Sequence, residues 1–131
     1  MIIIKKYILI LIVILLLIFS ACGRLSPTKI AADEVRVSSL ISGSPIKIVD
    51  EKVVKELTES YNSLKVKKIE DNLDLESKIN IVFYKDGKEK AAVTIDENDY
   101  LYLYRDSNTR YKIVGGNFSY DHIKELYDNN K

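Results

Sequence analysis

Two stretches in the middle of the chain alternate apolar and polar residues on either side of an Asp-Gly pair. In Ser77–Lys85, isoleucine and phenylalanine recur at every second position, and Lys88–Ile95 repeats the pattern. A period of two places successive side chains on opposite faces of a β-strand. Asp86-Gly87 between the two runs favours a type I′ turn, because both central residues of that turn need φ > 0. The pattern therefore predicts a β-hairpin.

Alternation and short apolar runs elsewhere in the chain predict five more strands. A Ser-Gly-Ser-Pro turn separates the first two, so we expect them to form a second hairpin. Polar turns separate the strands that follow Asp86-Gly87, and consecutive hairpins of this kind favour an antiparallel meander. In the YLYLY run, the leucines fall on one face and the tyrosines on the other. The five additional predicted strands are Asp33–Leu40, Ile46–Val49, Val66–Ile69, Tyr100–Tyr104 and Tyr111–Val114.

Two other stretches place apolar residues at helical spacing. One predicts a helix over Glu51–Ser63, with Asp50 as the N-cap that accepts the free N–H groups of the first turn. Ile123, Leu126 and Tyr127 give a second stripe, which predicts a C-terminal helix capped by Ser119. Helices gathered on one face of an antiparallel sheet form a two-layer structure. We therefore predict an α+β fold, an antiparallel meander with two helices packed on one face, preceded by a signal peptide.

The first 23 residues follow a different pattern. Lys5 and Lys6 precede the unbroken apolar run Tyr7–Phe19, and Ser20-Ala21 places small side chains before Cys22. A positive start, roughly 7–15 apolar residues and a small-residue cleavage site are the parts of a secretory signal peptide. A helix that spans a membrane needs about 20 apolar residues. The pattern therefore favours a signal peptide, and an uncleaved N-terminal membrane helix is the alternative.

The segment Phe19-Ser20-Ala21-Cys22 resembles the lipobox of bacterial lipoproteins, although leucine is usual where this chain has Phe19. The resemblance implies cleavage before Cys22 and a diacylglyceryl group on its thiol. Two acyl chains suffice for stable membrane attachment. Since Lys5 and Lys6 favour the cytoplasmic side, we expect the protein on the extracytoplasmic face of the cytoplasmic membrane.

This interpretation divides the chain into a signal peptide (1–21), a lipidated tether (22–32) and a single α+β domain (33–131). The order of elements in the domain, with an IVFYKDGKE hairpin followed by the YLYLY strand, resembles small uncharacterised lipoprotein domains of Gram-positive bacteria. That resemblance implies no active-site residues.

Charge and cysteine content limit the possible functions. Removing 1–21 takes away Lys5 and Lys6 and no acid, which leaves 18 basic against 19 acidic residues, a net charge of about −1. This balance lacks the basic footprint of a nucleic-acid-binding protein. Because Cys22 is the only cysteine, an internal disulfide is excluded, and a Cys- or His-rich metal site is excluded in the same way.

No catalytic constellation is visible in the sequence, and we expect no cofactor and no enzymatic activity. His122 is the only histidine, and no serine is placed beside it. The acidic stretch Glu70–Glu76 does not match the spacing of a calcium loop. Acidic residues are plentiful, so a small cell-envelope hydrolase that uses carboxylates remains an alternative, as does an inhibitor of an exported enzyme.

The tyrosines are the strongest candidates for a binding site. Tyr100, Tyr102 and Tyr104 are expected to share one sheet face, with Tyr84 or Tyr111 beside them. Tyrosine joins an apolar ring to a polar end, which suits a binding surface, whereas ordinary cross-strand pairing is the alternative explanation. The expected function is a non-catalytic binding module for an envelope protein or glycan.

Overall fold

The structure is a computed structural model that describes residues 2–21, 25–39, 44–69, 78–103 and 109–130. Within α1, side chains are described from Ile3 to Leu15. The elements of the described ranges, in chain order, are α1 (Ile2–Ala21), β1 (Glu34–Ser39), β2 (Ile46–Ile48), α2 (Glu51–Asn62), β3 (Lys65–Ile69), β4 (Ile79–Lys85), β5 (Lys88–Ile95), β6 (Tyr100–Leu103), β7 (Arg110–Gly115) and α3 (Tyr120–Asn130).

The strands form one antiparallel sheet in the order β2-β1-β4-β5-β6-β7-β3. Strands β4 to β7 follow one another as a meander, and β1 and β2 form the expected hairpin. Two long-range pairings extend the meander, because β1 pairs with β4 and β3 pairs with β7. The predicted α+β class is confirmed, and β3 is an edge strand that the chain reaches only after α2.

The central hairpin forms where the Asp-Gly pair predicts it. Asp86 and Gly87 have φ values of 52° and 75°, as a type I′ turn requires. A register shift follows, because Phe83 pairs with Ala91 and Tyr84 pairs with Glu89. Such a bulge adds one residue to β5 and increases the local twist of the pair.

Helices α2 and α3 pack on one face of the sheet. Asp50 caps α2 as predicted, since its Oδ1 accepts a hydrogen bond from the Val53 N–H at 3.1 Å. Ser119 accepts from the His122 N–H at 3.3 Å at the start of α3. Side chains from one face of the sheet and from α2, α3 and the turn before α3 form one shared core. The sheet contributes Val35, Val37, Ile48, Val66, Ile79, Ile81, Phe83, Ala91, Val93, Ile95 and Leu101. The other layer contributes Val54, Leu57, Tyr61, Phe118, Ile123 and Tyr127.

The segment expected to be a tether lies against the domain over its described residues. Leu25 forms an antiparallel bridge with Val66, with N–H to O distances of 2.8 and 2.9 Å. Five residues further on, the Asn62 amide donates to the Ile30 carbonyl oxygen and accepts from the Ile30 N–H, both at 2.9 Å. The segment is therefore fixed to β3 at Leu25 and to the end of α2 at Ile30.

Helix α1 exposes every side chain described in it. Counted over the residues that the structure describes, no helix is both long and apolar enough to cross a membrane. The expected lipidation site Cys22, the tyrosine Tyr104 and the acidic stretch Glu70–Glu76 lie outside the described residues.

Candidate binding face

The sheet has a second face, turned away from α2 and α3, which we call the outer face. The strand register places its residues in rows, because opposite residues of paired strands share a face. One row joins Lys47, Arg36, Val82 and Ala92, and the next joins Asn80, Thr94 and Tyr102. Among the described helices, α2 and α3 pack on the other face. In the described part of the chain, neither α2 nor α3 therefore covers the outer face.

Tyr100 and Tyr102 lie together on the outer face. Both side chains are half-buried, whereas Leu101 between them is fully buried in the core. The Arg110 guanidinium lies 5.3 Å from the centre of the Tyr102 ring, and Tyr100 is opposite Lys112 across β6 and β7. This end of the outer face therefore combines aromatic rings with cationic side chains.

Tyr84 is on the same face of the sheet, on β4, with β5 between its strand and β6. The Arg36 guanidinium lies 4.5 Å from the centre of its ring. Glu34 accepts hydrogen bonds from Lys47 Nζ at 3.1 Å and Arg36 Nε at 2.8 Å. The hydrogen bond from Lys47, followed by that from Arg36, holds the pKa of the Glu34 carboxyl below its usual value.

Tyr111, one of the two alternatives expected beside Tyr100 and Tyr102, does not belong to this surface. It pairs with Leu101 and packs against the core. The sequence pattern could not decide this, because which face a β7 residue takes depends on its register with β6. Tyr84 is on the expected face but is not a neighbour of the β6 tyrosines.

The turn between β5 and β6, which the sequence predicts only as polar, holds Tyr100 in place. Asp96 is 3% exposed, and its Oδ1 accepts hydrogen bonds from the N–H groups of Asn98 and Tyr100, both at 2.9 Å. Asp99 has a φ of 60°, and its Oδ1 accepts from the Tyr120 N–H at 2.9 Å. These carboxylates hold backbone groups, since short acidic side chains stabilise turns and helix starts in this way. The turn therefore couples the start of β6 to the start of α3.

His122 joins the two helices. Its Nε2 lies 3.1 Å from Glu56 Oε1, so α3 contacts α2 through this pair on the side of the sheet opposite the tyrosines. In the described ranges, no group of three or more histidine, cysteine or acidic side chains is arranged to hold a metal ion. A cleft of about 540 Å³ opens between 30–33 and α2, and none of the predicted site residues lines it.

An aromatic ring with a nearby guanidinium can bind a partner in several ways. The ring offers an apolar surface, its hydroxyl exchanges hydrogen bonds, and the cation attracts acidic groups. Tyrosine and arginine are enriched in protein interfaces, and tyrosine provides much contact area at a low entropic cost. The β6–β7 end of the outer face has this composition.

In comparisons with models of protein families, with curated proteins and with solved structures, nothing matches this chain.

Proposed function

We propose that this chain is a lipid-anchored protein on the extracytoplasmic face of the cytoplasmic membrane, and that its domain is a non-catalytic binding module for an envelope protein or glycan. The observation that carries the proposal is the pair Tyr100 and Tyr102, half-buried beside Arg110 and Lys112 on a sheet face turned away from both packed helices. The lipobox-like segment ending at Cys22 supports the anchoring.

The anchor is tested by replacing the cysteine, Cys22→Ser. We expect the wild-type protein to be cleaved before Cys22, to carry a diacylglyceryl group and to fractionate with membranes. The variant lacks the thiol that accepts the lipid, so its intact mass should show neither lipid nor cleavage. Mass spectrometry of both purified proteins measures this directly. A Ser26→Ala variant, changed close to Cys22 but not at the acylated position, is the matched control, and an unmodified wild-type mass would refute lipid anchoring.

The binding face is tested by a double replacement, Tyr100→Ala with Tyr102→Ala. Crosslinking of the anchored protein in living cells, followed by mass spectrometry, first identifies what it contacts. Interface hot spots of this type each contribute about 2 kcal/mol or more to binding, and about 1.4 kcal/mol is a factor of ten. We therefore expect the yield of crosslinked partner to fall at least about tenfold.

The matched control is Tyr84→Ala, which removes a tyrosine from the same face but from β4, with β5 between it and the tyrosines of β6. It should leave the yield near the wild-type level. Circular dichroism must show the same secondary structure for all three proteins. Equal crosslinking of wild type and the double variant would remove Tyr100 and Tyr102 from the binding surface.

A further inference from the structure

The edge of the sheet formed by β3 is rich in lysine. Lys65, Lys67 and Lys68 are exposed on this strand, and Lys67 lies directly opposite Lys112 of β7, which is also exposed. Like charges that face each other across a strand pair destabilise the pair. Of the ion pairs between described residues, none includes these lysines. We call this group of four residues, Lys65, Lys67, Lys68 and Lys112, the lysine edge.

Exposed apolar side chains flank the lysine edge. Outside α1, the large apolar side chains exposed in the described residues are Leu25 (52%), Val49 (61%) and Val114 (39%). Leu25 pairs with Val66 of β3, and Val114 lies on β7 next to Ile113, which also pairs with Val66. Two of the three exposed apolar residues therefore adjoin the same edge. Lysines mixed with exposed apolar side chains are typical of surfaces that lie on membranes containing anionic lipid.

The position of the proposed anchor brings this edge to the membrane. The chain between Cys22 and Leu25 can span at most about 11 Å when fully extended. Leu25 is bonded through its backbone to β3 itself. A lipid on Cys22 would therefore hold β3 close to the headgroups, whereas β2 lies six strand spacings away, about 29 Å.

We propose that the lysine edge binds the anionic phospholipid headgroups of the membrane in which Cys22 is anchored, so that β3 faces the bilayer and β2 faces away from it. The proposal rests on the lipid anchor proposed above and adds the orientation of the domain and the chemical class of lipid. Each lysine close to an anionic surface multiplies the equilibrium constant for contact by about five.

The test uses the full-length protein, processed by the cell and reconstituted into vesicles. The vesicles contain phosphatidylcholine alone or phosphatidylcholine mixed with phosphatidylglycerol. The protein is exposed briefly to an acetylating reagent, and the acetylation rate of each lysine is measured by mass spectrometry. The exposed helix lysines Lys52, Lys55 and Lys124 are the internal reference. We expect the four edge lysines to react at least about fivefold more slowly on the anionic vesicles, and the reference lysines to react equally on both.

Acetylation at high salt provides a second test, because salt shortens the electrostatic screening length and weakens the attraction between the lysines and the anionic vesicle surface. It should return the edge lysines to their rates on neutral vesicles. Two double variants that remove the same charge at different places distinguish the effect of charge position from the effect of total charge. Lys65→Gln with Lys67→Gln should release Lys68 and Lys112 from protection, whereas Lys52→Gln with Lys55→Gln should not.

The outcomes distinguish this inference from the anchor on which it depends. An intact mass without lipid on Cys22 overturns the anchor and the inference together. A lipidated protein whose edge lysines react equally on both kinds of vesicle overturns the orientation alone. That result is also expected if the acidic stretch Glu70–Glu76 neutralises the edge, or if the lysines serve only to prevent association between edge strands.

Discussion

Replacing Gly116 by alanine is expected to destabilise the domain by about 2–5 kcal/mol. Gly116 has a φ of +87°, and a Cβ built there would lie 2.4 Å from the backbone oxygen of Ser63. The backbone conformation costs an L-residue about 1–2 kcal/mol, and forcing atoms into a packed site costs about 1–3 kcal/mol more. A flexible side chain could move away from the added methyl group, but a backbone carbonyl at a helix end cannot.

The site explains why the effect should be large. Ser63 follows α2, donates from its Oγ to the Ser60 carbonyl oxygen at 2.7 Å, and accepts from the Asn117 N–H at 3.3 Å. The end of α2 and the turn between β7 and α3 are thus joined at this glycine. Natural domains are stable by about 5–15 kcal/mol, so Gly116→Ala should remove a large part of the total.

Two other glycines are matched controls for this prediction. Gly87→Ala has a similar φ of +75° but open space around the added Cβ, so it should cost only the backbone term of about 1–2 kcal/mol. Gly115→Ala would meet Lys65 Cβ and Cδ at 3.2 Å, a milder contact than that at Gly116 and without a positive φ, so it should cost less than Gly116→Ala. Urea titration followed by far-ultraviolet circular dichroism measures all three, since the chain has no tryptophan. Equal losses for Gly87→Ala and Gly116→Ala would contradict the contact with Ser63.

Local chemistry was sufficient to predict the elements and the hairpins between neighbouring strands, but not the pairings between strands distant in sequence. Asp86-Gly87 specifies its turn because the requirement for two positive φ values involves only those residues, and Asp50 caps α2 through a bond three residues away. The pairing of β3 with β7 joins segments far apart in sequence. Nothing in the Val66–Ile69 pattern states which strand completes its hydrogen bonds, so the edge position of β3 required the structure.

At the candidate site too, the sequence predicts the local features but not those that depend on strand pairing. Alternation alone predicts that Tyr100 and Tyr102 share a face, because the period of a strand is two. It does not reveal that Tyr111 is on the core face or that Arg110 lies over the Tyr102 ring, since both depend on register. The contact between Leu25 and Val66 could not be predicted from the sequence either, because a single bridge has no periodic pattern. The proposed orientation on the membrane depends on that bridge.

Phe83 and Val82 are adjacent residues on opposite faces of β4, and their replacement by alanine should have very different effects. Phe83 is fully buried, and its ring centre lies 5.2 Å from that of Tyr61 on α2. Phe83→Ala leaves a cavity between the sheet and the helix, at a cost of about 3–5 kcal/mol. Val82 is half-buried on the outer face, so Val82→Ala should cost about 1 kcal/mol.

The comparison bears on function as well as on packing. The proposed binding residues lie on the same outer face as Val82, and that surface must be open to a partner rather than covered by another layer of the protein. If that surface were a second core, Val82→Ala would leave a cavity of its own and approach the loss expected for Phe83→Ala. The difference between the two variants in the same urea titration therefore tests the two-layer architecture on which the binding face depends. A difference of at least about 2 kcal/mol is expected, because only Phe83 loses contacts with α2.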